Sequence, residues 1–249
     1  MNNKSKKVNA AVIIIGNEIL SWRTQDVNLI NISKWLNNLG VKVDEVRIIP
    51  DVERKIIDCI REMKKKFNYI FTTGGIGPTH DDITAKSVSK AFNLKYQIHK
   101  EAFKILKNYY DPGQFSLGRQ KMTKMPSNAK LIYNPTSGAP GFIVENVFCL
   151  PGVPSILKSM LGDLQNKILG GKKILSKTIS IKTVESEISK SLSKIQKKNK
   201  DVEIGSYPFF RAGKVGVYIV LRSISKKKID KCNAQILKFV TKKKIKIIK

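Results

Sequence analysis

Two spacings of apolar residues alternate along the first two thirds of the chain. Residues 11–15 are an unbroken apolar run, as expected of a strand covered on both faces of a parallel sheet. Residues 27–39 carry Val27, Ile30, Trp35, Leu36 and Leu39 at helical spacing, and Gly40 is a good stop. Residues 41–49 read as a strand. The stripe Val52, Ile56, Ile57, Ile60, Met63 and Phe67 predicts a helix, with Asp51 available as its N-cap. Residues 69–73 form a third apolar, β-rich run that leads into a glycine loop and a helix over 83–92.

The alternation continues with an extended piece at 94–98, a helix at 101–110, an Asp111-Pro112-Gly113 turn and a helical stretch at 115–125. Residues 131–133, 142–144 and 147–150 are strand-like. Pro151-Gly152-Val153-Pro154 then breaks into a helix ending near Gly170-Gly171. Alternating β and α units argue for an α/β fold, a three-layer α/β/α sandwich on a mixed, mostly parallel sheet. Gly170-Gly171-Lys172-Lys173 is the candidate boundary, giving domains 1–171 and 172–249. The second is expected to be a small α+β module of βαββα order: strand 174–181, helix 184–198, strands 202–206 and 216–221, helix 229–240.

Composition narrows the classes. No apolar run approaches the roughly 20 residues that span a bilayer. Lys4, Lys6 and Lys7 precede the first apolar run in the manner of a signal peptide, but that run is short and passes into Gly16-Asn17-Glu18 without a cleavage pattern. A cytoplasmic protein with no membrane partner is expected. Cys59, Cys149 and Cys232 form no C-x-x-C pair, which fits a reducing compartment. The formal net charge is +28, almost all of the cations being scattered lysine. Such scatter reads as solvated faces that steer anions inward, and not as a nucleic-acid interface, which would gather Arg with aromatics.

The chemistry concentrates in residues 69–84, Y-I-F-T-T-G-G-I-G-P-T-H-D-D-I-T. A strand that ends in Gly74, Gly75 and Gly77 and restarts as a helix leaves backbone N–H groups for an anion. Asp81 and Asp82 beside that anion could hold a divalent cation. The stretch therefore predicts a site for a phosphorylated ligand at the carboxyl end of a strand. G-x-G-x-x-G after the first strand, G-K-[ST], G-x-S-x-G and H-E-x-x-H are all absent.

Ile49-Pro50-Asp51, Thr72-Thr73-Gly74-Gly75-Ile76-Gly77-Pro78, Asp82-Ile83-Thr84 and Leu150-Pro151-Gly152-Val153-Pro154, in that order, resemble the MoaB/Mog-type molybdopterin-binding domain. Gly16-Asn17-Glu18-Ile19-Leu20, Arg119-Gln120 and Ser137-Gly138-Ala139-Pro140-Gly141-Phe142 extend the resemblance to the CinA N-terminal-like branch, over residues 8–170. The tail, with Ser206-Tyr207-Pro208-Phe209-Phe210, resembles the small C-terminal module of stand-alone bacterial members and not the CinA amidase domain.

This resemblance implies a phosphorylated small-molecule partner of the ADP-ribose, FAD or molybdopterin class, and a homo-oligomer, dimer or trimer. It implies one of two reactions. The first is metal-dependent hydrolysis of a pyrophosphate bond with Mg, Mn or Co. The other is adenylylation of molybdopterin, as in molybdenum cofactor biosynthesis. A binding protein without turnover is a third reading.

Asp82 matches the D-x-T aspartate and is the first candidate for catalysis and metal binding. Asp51 is the second catalytic candidate, and Asp81 the second metal ligand. Gly16, Glu18, Gly74, Gly75, Gly77, Pro78, Thr84, Ser137 and Gly138 are the ligand-binding candidates. Each has a plainer role in competition: the glycines can merely turn the chain, Asp51, Asp82 and Thr84 can cap helices, and His80 can face solvent. Trp22 stands where related sequences place glycine, and could stack on a ligand or fill a hydrophobic gap.

Overall fold

The computed structural model describes residues 8–211 and 213–248, so Lys4, Lys6 and Lys7 lie outside it. The chain divides into two compact units, one ending at Gly171 and the other starting at Lys172.

The first unit begins with β1 (Val8–Ile15), a short α1 (Asn17–Leu20), α2 (Asn28–Asn38), β2 (Val41–Ile49), α3 (Glu53–Met63) and β3 (Tyr69–Thr73). It continues through α4 (Thr84–Ala91), β4 (Tyr96–Ile98), α5 (Lys100–Tyr109), α6 (Leu117–Lys121), β5 (Lys124–Pro126) and β6 (Lys130–Ile132). β7 (Gly141–Val144), β8 (Val147–Leu150) and α7 (Pro154–Met160) complete it. Among the described residues the main sheet has the order β2-β1-β3-β8-β7-β6. Its first three pairings are parallel and its last two antiparallel.

The apolar run of β1 is explained by burial on both sides. Ala11, Ile13 and Ile15 join α3 and α4 side chains such as Ile56, Ile60 and Val88 in one core. Ala10, Val12 and Ile14 join Ile32 and Leu36 of α2 and Leu157 and Met160 of α7 in the other. Successive strand residues point to opposite faces, so one strand supplies both cores, and the fold is a three-layer α/β/α sandwich.

Two expected helices are shorter than their sequence signal. The stretch 115–125 yields only α6, because residues 124–126 pair with β4 as a separate two-stranded ribbon. α7 stops at Met160 and hydrogen-bonded turns fill the remainder. Asp51 is not the N-cap of α3. That position is Val52, and Asp51 Oδ2 instead accepts from Asn17 N at 2.8 Å, tying the end of β2 to the start of α1.

The second unit contains β9 (Leu175–Lys182), α8 (Glu185–Lys198), β10 (Glu203–Arg211), β11 (Lys214–Ser223), α9 (Lys226–Lys242) and β12 (Lys246–Ile248). Its sheet, β10-β11-β9-β12, is antiparallel throughout, and Ile181, Val217, Ile219, Ile188 and Ile236 fill its core. The order is therefore βαββαβ and not βαββα. β12 is three residues set among lysines, too short for an apolar alternation to register.

Candidate functional site

The site is built where β1 and β3 end side by side. Gly74 N donates to Leu150 O at 3.1 Å, so its amide closes the β3–β8 pairing and is not available to a ligand. The chain then turns through left-handed backbone, with φ of 95° at Gly74 and 68° at Gly75. A Cβ on Gly74 would lie 2.2 Å from Ile15 O, and one on Gly75 2.2 Å from Thr84 Oγ1, so both positions require glycine. The amides of Gly75, Ile76 and Gly77 have no hydrogen-bond partner among the described residues. These three N–H groups, rather than those of all three motif glycines, form the available anion cradle.

Thr84 holds the turn in place. It is fully buried, its N donates to Gly75 O at 2.9 Å, and its hydroxyl donates to Gly74 O at 3.0 Å. Thr84 thus shapes the loop through groups already committed to the protein. Asp82 closes the other side: Oδ2 accepts from Thr79 N at 2.8 Å and from the Thr79 hydroxyl. A Cβ on Gly77 would sit 2.7 Å from Asp82 Oδ2, so the carboxylate lies directly against the free-amide segment. The α4 N-cap is Ile83 and makes no side-chain cap bond, so Asp82 does not cap that helix. The nearby Thr79 hydroxyl foremost, with His80 and Lys121 also close, holds the exposed Asp81 carboxyl below its usual range.

Two depressions flank the glycine turn. The first is lined by Gly75, Ile76, Gly77, Asp82, Lys121 and Lys124, with Phe142 and Tyr96 among its apolar walls. Lys121 Nζ donates to Thr79 O and so braces the aspartate loop. The second lies on the β1 side and is lined by Glu18, Asp26, Asn28, Thr73, Gly74 and Gly152. There Glu18 folds back over Gly16, where a Cβ would come within 2.5 Å of Oε1, and Gly16 N is held by Ile49 O at 3.2 Å.

The turn therefore gathers Gly74, Gly75, Gly77 and Asp82 around one corner, with Glu18 in the neighbouring depression. Asp51 serves this corner indirectly, through Asn17. Ser137 and Gly138 line neither depression. Asn134 organises them by donating to Ser137 Oγ and accepting from Ser137 N, and Gly138 packs on the ring of Tyr109. Pro140, from the same motif, lines the first depression instead. Pro78 approaches Gly118 and also lines neither. Among the described residues no three His, Cys, Asp or Glu side chains come together as a metal shell.

The comparison that decides the family is a match of residues 11–170 to the model described as "Probable molybdopterin binding domain". The chain belongs to this MoaB/Mog family. Residues 173–248 of this MoaB/Mog protein match a second model, "FAD synthase, middle domain". A relative from Archaeoglobus fulgidus is 33% identical over 197 residues, covering 79% of this chain and 84% of its own. One from Saccharolobus islandicus is 32% identical over 210 residues, 80% of each chain. The crystal structure of the protein CinA with unknown function from Thermoplasma acidophilum superposes with a TM-score of 0.60 at 31% identity. It covers 64% of this chain and 96% of that one, which fits a CinA-like MoaB/Mog protein.

The motifs did not point to Lys121, Lys124, Asp26 or Asn28. The two lysines are hidden in a lysine-rich background. Asn28, at the start of an amphipathic helix, reads as an ordinary polar position, although it is only 3% exposed.

Proposed function

We propose that this MoaB/Mog protein binds a phosphorylated nucleotide or pterin at the glycine turn and hydrolyses a pyrophosphate bond of the ADP-ribose or FAD type with a divalent metal. The observation that carries the reading is the run of unpartnered amides at Gly75, Ile76 and Gly77, with the Asp82 carboxylate packed against Gly77. Those amides would bind phosphate oxygens and stabilise the charge that builds on them. Lys121 and Lys124, in the wall of the same depression, reinforce that preference for an anion.

Metal binding is compatible with this donor set when the ligand completes it. Mg²⁺ commonly uses one or two carboxylates and takes its remaining oxygens from phosphate and water. Asp82 has Oδ2 committed to Thr79 and keeps Oδ1 without a protein donor among the described residues, while Asp81 stays ionised beside it. Asp82, with Asp81, would hold the ion, which when bound would neutralise phosphate charge and polarise the bond to be broken. Asp51 would keep the β1 loop in position through Asn17.

The match of the second unit to an FAD synthase middle domain favours a flavin or adenine dinucleotide as the ligand. The description of the first unit's family favours molybdopterin as the alternative, with adenylylation the reaction. A homo-oligomer, dimer or trimer, in the cytoplasm completes the proposal. No described helix is long and apolar enough to cross a membrane.

The test is turnover of ADP-ribose and FAD with Mg²⁺, Mn²⁺ or Co²⁺, comparing the wild type with Asp82→Ala. Metal-dependent product is expected, with kcat/KM lowered by about 100-fold or more in the variant. No product in any combination would remove the hydrolase reading. ATP-dependent consumption of molybdopterin would then establish the alternative.

A further inference from the structure

The second unit carries a surface that the phosphate reading does not use. Ile181, Val217 and Ile219 of its strands share a core with Ile188 of α8 and Ile236 of α9, so both helices lie on one face of the sheet. The alternate strand positions point to the other face. There the pairings Tyr207↔Tyr218 and Phe209↔Gly216 gather three aromatic rings. Phe209 and Tyr218 stack with centroids 4.2 Å apart and planes at 25°. Two strand glycines make room for the rings. A Cβ on Gly216 would lie 2.4 Å from the tip of Phe209, and one on Gly205 2.8 Å from the ring of Tyr207. Glycine inside a strand ordinarily weakens it and often marks a close approach, here of the rings to the backbone. The cluster is not a core, because Tyr207 is 48% exposed and Phe209 and Tyr218 are only half-buried.

The charge on this face is lopsided. Arg222 stands at one end, and Lys182 and Lys246, neighbours across β9 and β12, stand at the other. All three are exposed, and none is in an ion pair among the described residues. Glu203, opposite Arg222, is the one carboxylate at a described strand position of the face. The three cations come from three different strands, so their meeting with the rings is invisible in a lysine-rich sequence. Folding thus supplies here the grouping of Arg with aromatics that nucleic-acid interfaces show. From Ser176 to Lys182 the face runs roughly 20 Å, at about 3.3 Å per residue, which suits a chain of alternating rings and phosphates better than one nucleotide. A second copy seated face to face would instead bring the same positive surface against itself.

We propose that this face of the second unit binds single-stranded nucleic acid. Bases stack on Tyr207 and on the Phe209–Tyr218 pair, and phosphates meet Arg222, Lys182 and Lys246. A four-stranded sheet with aromatic rings on its uncovered face is the platform on which one common class of RNA-binding module stacks two or three bases. Such stacking tolerates any sequence, since every base has a π-face. The proposal is independent of the reaction assigned to the glycine turn.

The experiment is fluorescence anisotropy of the full chain with labelled oligouridylate and oligothymidylate of about ten nucleotides, and with a duplex of equal length, in about 0.15 M salt. Single strands are expected to bind at least about 10-fold more tightly than the duplex. Tyr207→Leu and Phe209→Ala keep every charge and should each weaken single-strand binding about 5- to 100-fold. Arg222→Gln should lower the slope of log affinity against log salt by about 0.7, whereas Lys158→Gln, an equal loss of charge on α7, leaves single-strand affinity and slope nearly unchanged. If Phe209→Ala does not fold, the exposed Tyr207 decides. Single-strand affinity undiminished in Tyr207→Leu overturns the proposal, because the binding then belongs to diffuse charge or to the first unit. Duplex bound as tightly as single strand overturns it as well, and so does absence of binding. A dimer in sedimentation that Tyr207→Leu dissociates, with no oligonucleotide bound, gives the face to a second copy and also overturns it.

Discussion

At Gly75 a left-handed backbone and a steric limit coincide, because the space for a side chain is already occupied by the Thr84 hydroxyl. Gly75→Ala is therefore expected to destabilise the protein by roughly 1–3 kcal/mol, seen as a lower Tm, and to weaken pyrophosphate binding in calorimetry. Trp22 poses the opposite case. It holds φ of 62° with its side chain almost wholly in solvent, 95% exposed, so the ring fills no hydrophobic gap. Replacing it by glycine should relieve the backbone and raise stability by about 0.5–1 kcal/mol, measurable by chemical denaturation. The glycines of the turn were legible because a strand followed by closely spaced glycines admits few other local structures. Asn28 was not. Its partner Gly152 lies 124 positions away, and only the folded sheet brings them together. Asp51 was misread as a helix cap for a related reason: its partner, Asn17, opens α1 after a different strand.

Between elements, the best-defined ionic link joins β2 to α3. Arg47 meets Glu62 through two bonds, at 2.6 and 2.8 Å, and Lys66 donates to the same carboxylate. Arg47 foremost, then Lys66, hold the Glu62 carboxyl down at about 2, against an ordinary value of 4.5. A carboxyl depressed on folding contributes stability above its ordinary value, and that contribution is lost as pH falls toward the folded value. The loss should therefore develop below pH 4.5 and run toward about 2. Glu62→Gln is expected to flatten this part of the stability–pH curve, as followed by thermal melting across the acid range. The gain is small near neutral pH, since the pair is solvent-exposed. Long elements with a clear period, such as β1 and α3, were readable from the chain, whereas β5 and β12 were not. β5 was hidden inside a stretch with helical spacing and β12 among lysines, and each of these strands exists because a partner strand offers it an edge.

The whole molecule carries +28, and this charge acts at distances where individual contacts do not. Association with an anionic ligand should slow as salt rises from about 0.05 to 0.5 M, checked by stopped-flow, with dissociation changing far less. Each of the two units has its own apolar core, so residues 1–171 and 172–249, made separately, are each expected to melt cooperatively. The acidic pocket on the β1 side has a further effect within so basic a chain. Long-range attraction recruits anions of every shape, but the patch of opposite sign turns away any molecule that would place a second negative group there. Inorganic polyanions and bisphosphates would gain nothing at that point, while a molecule charged at one end and neutral at the other would meet both depressions without that repulsion. Selection of a visitor would then depend less on how much charge it bears than on where along its length that charge is missing.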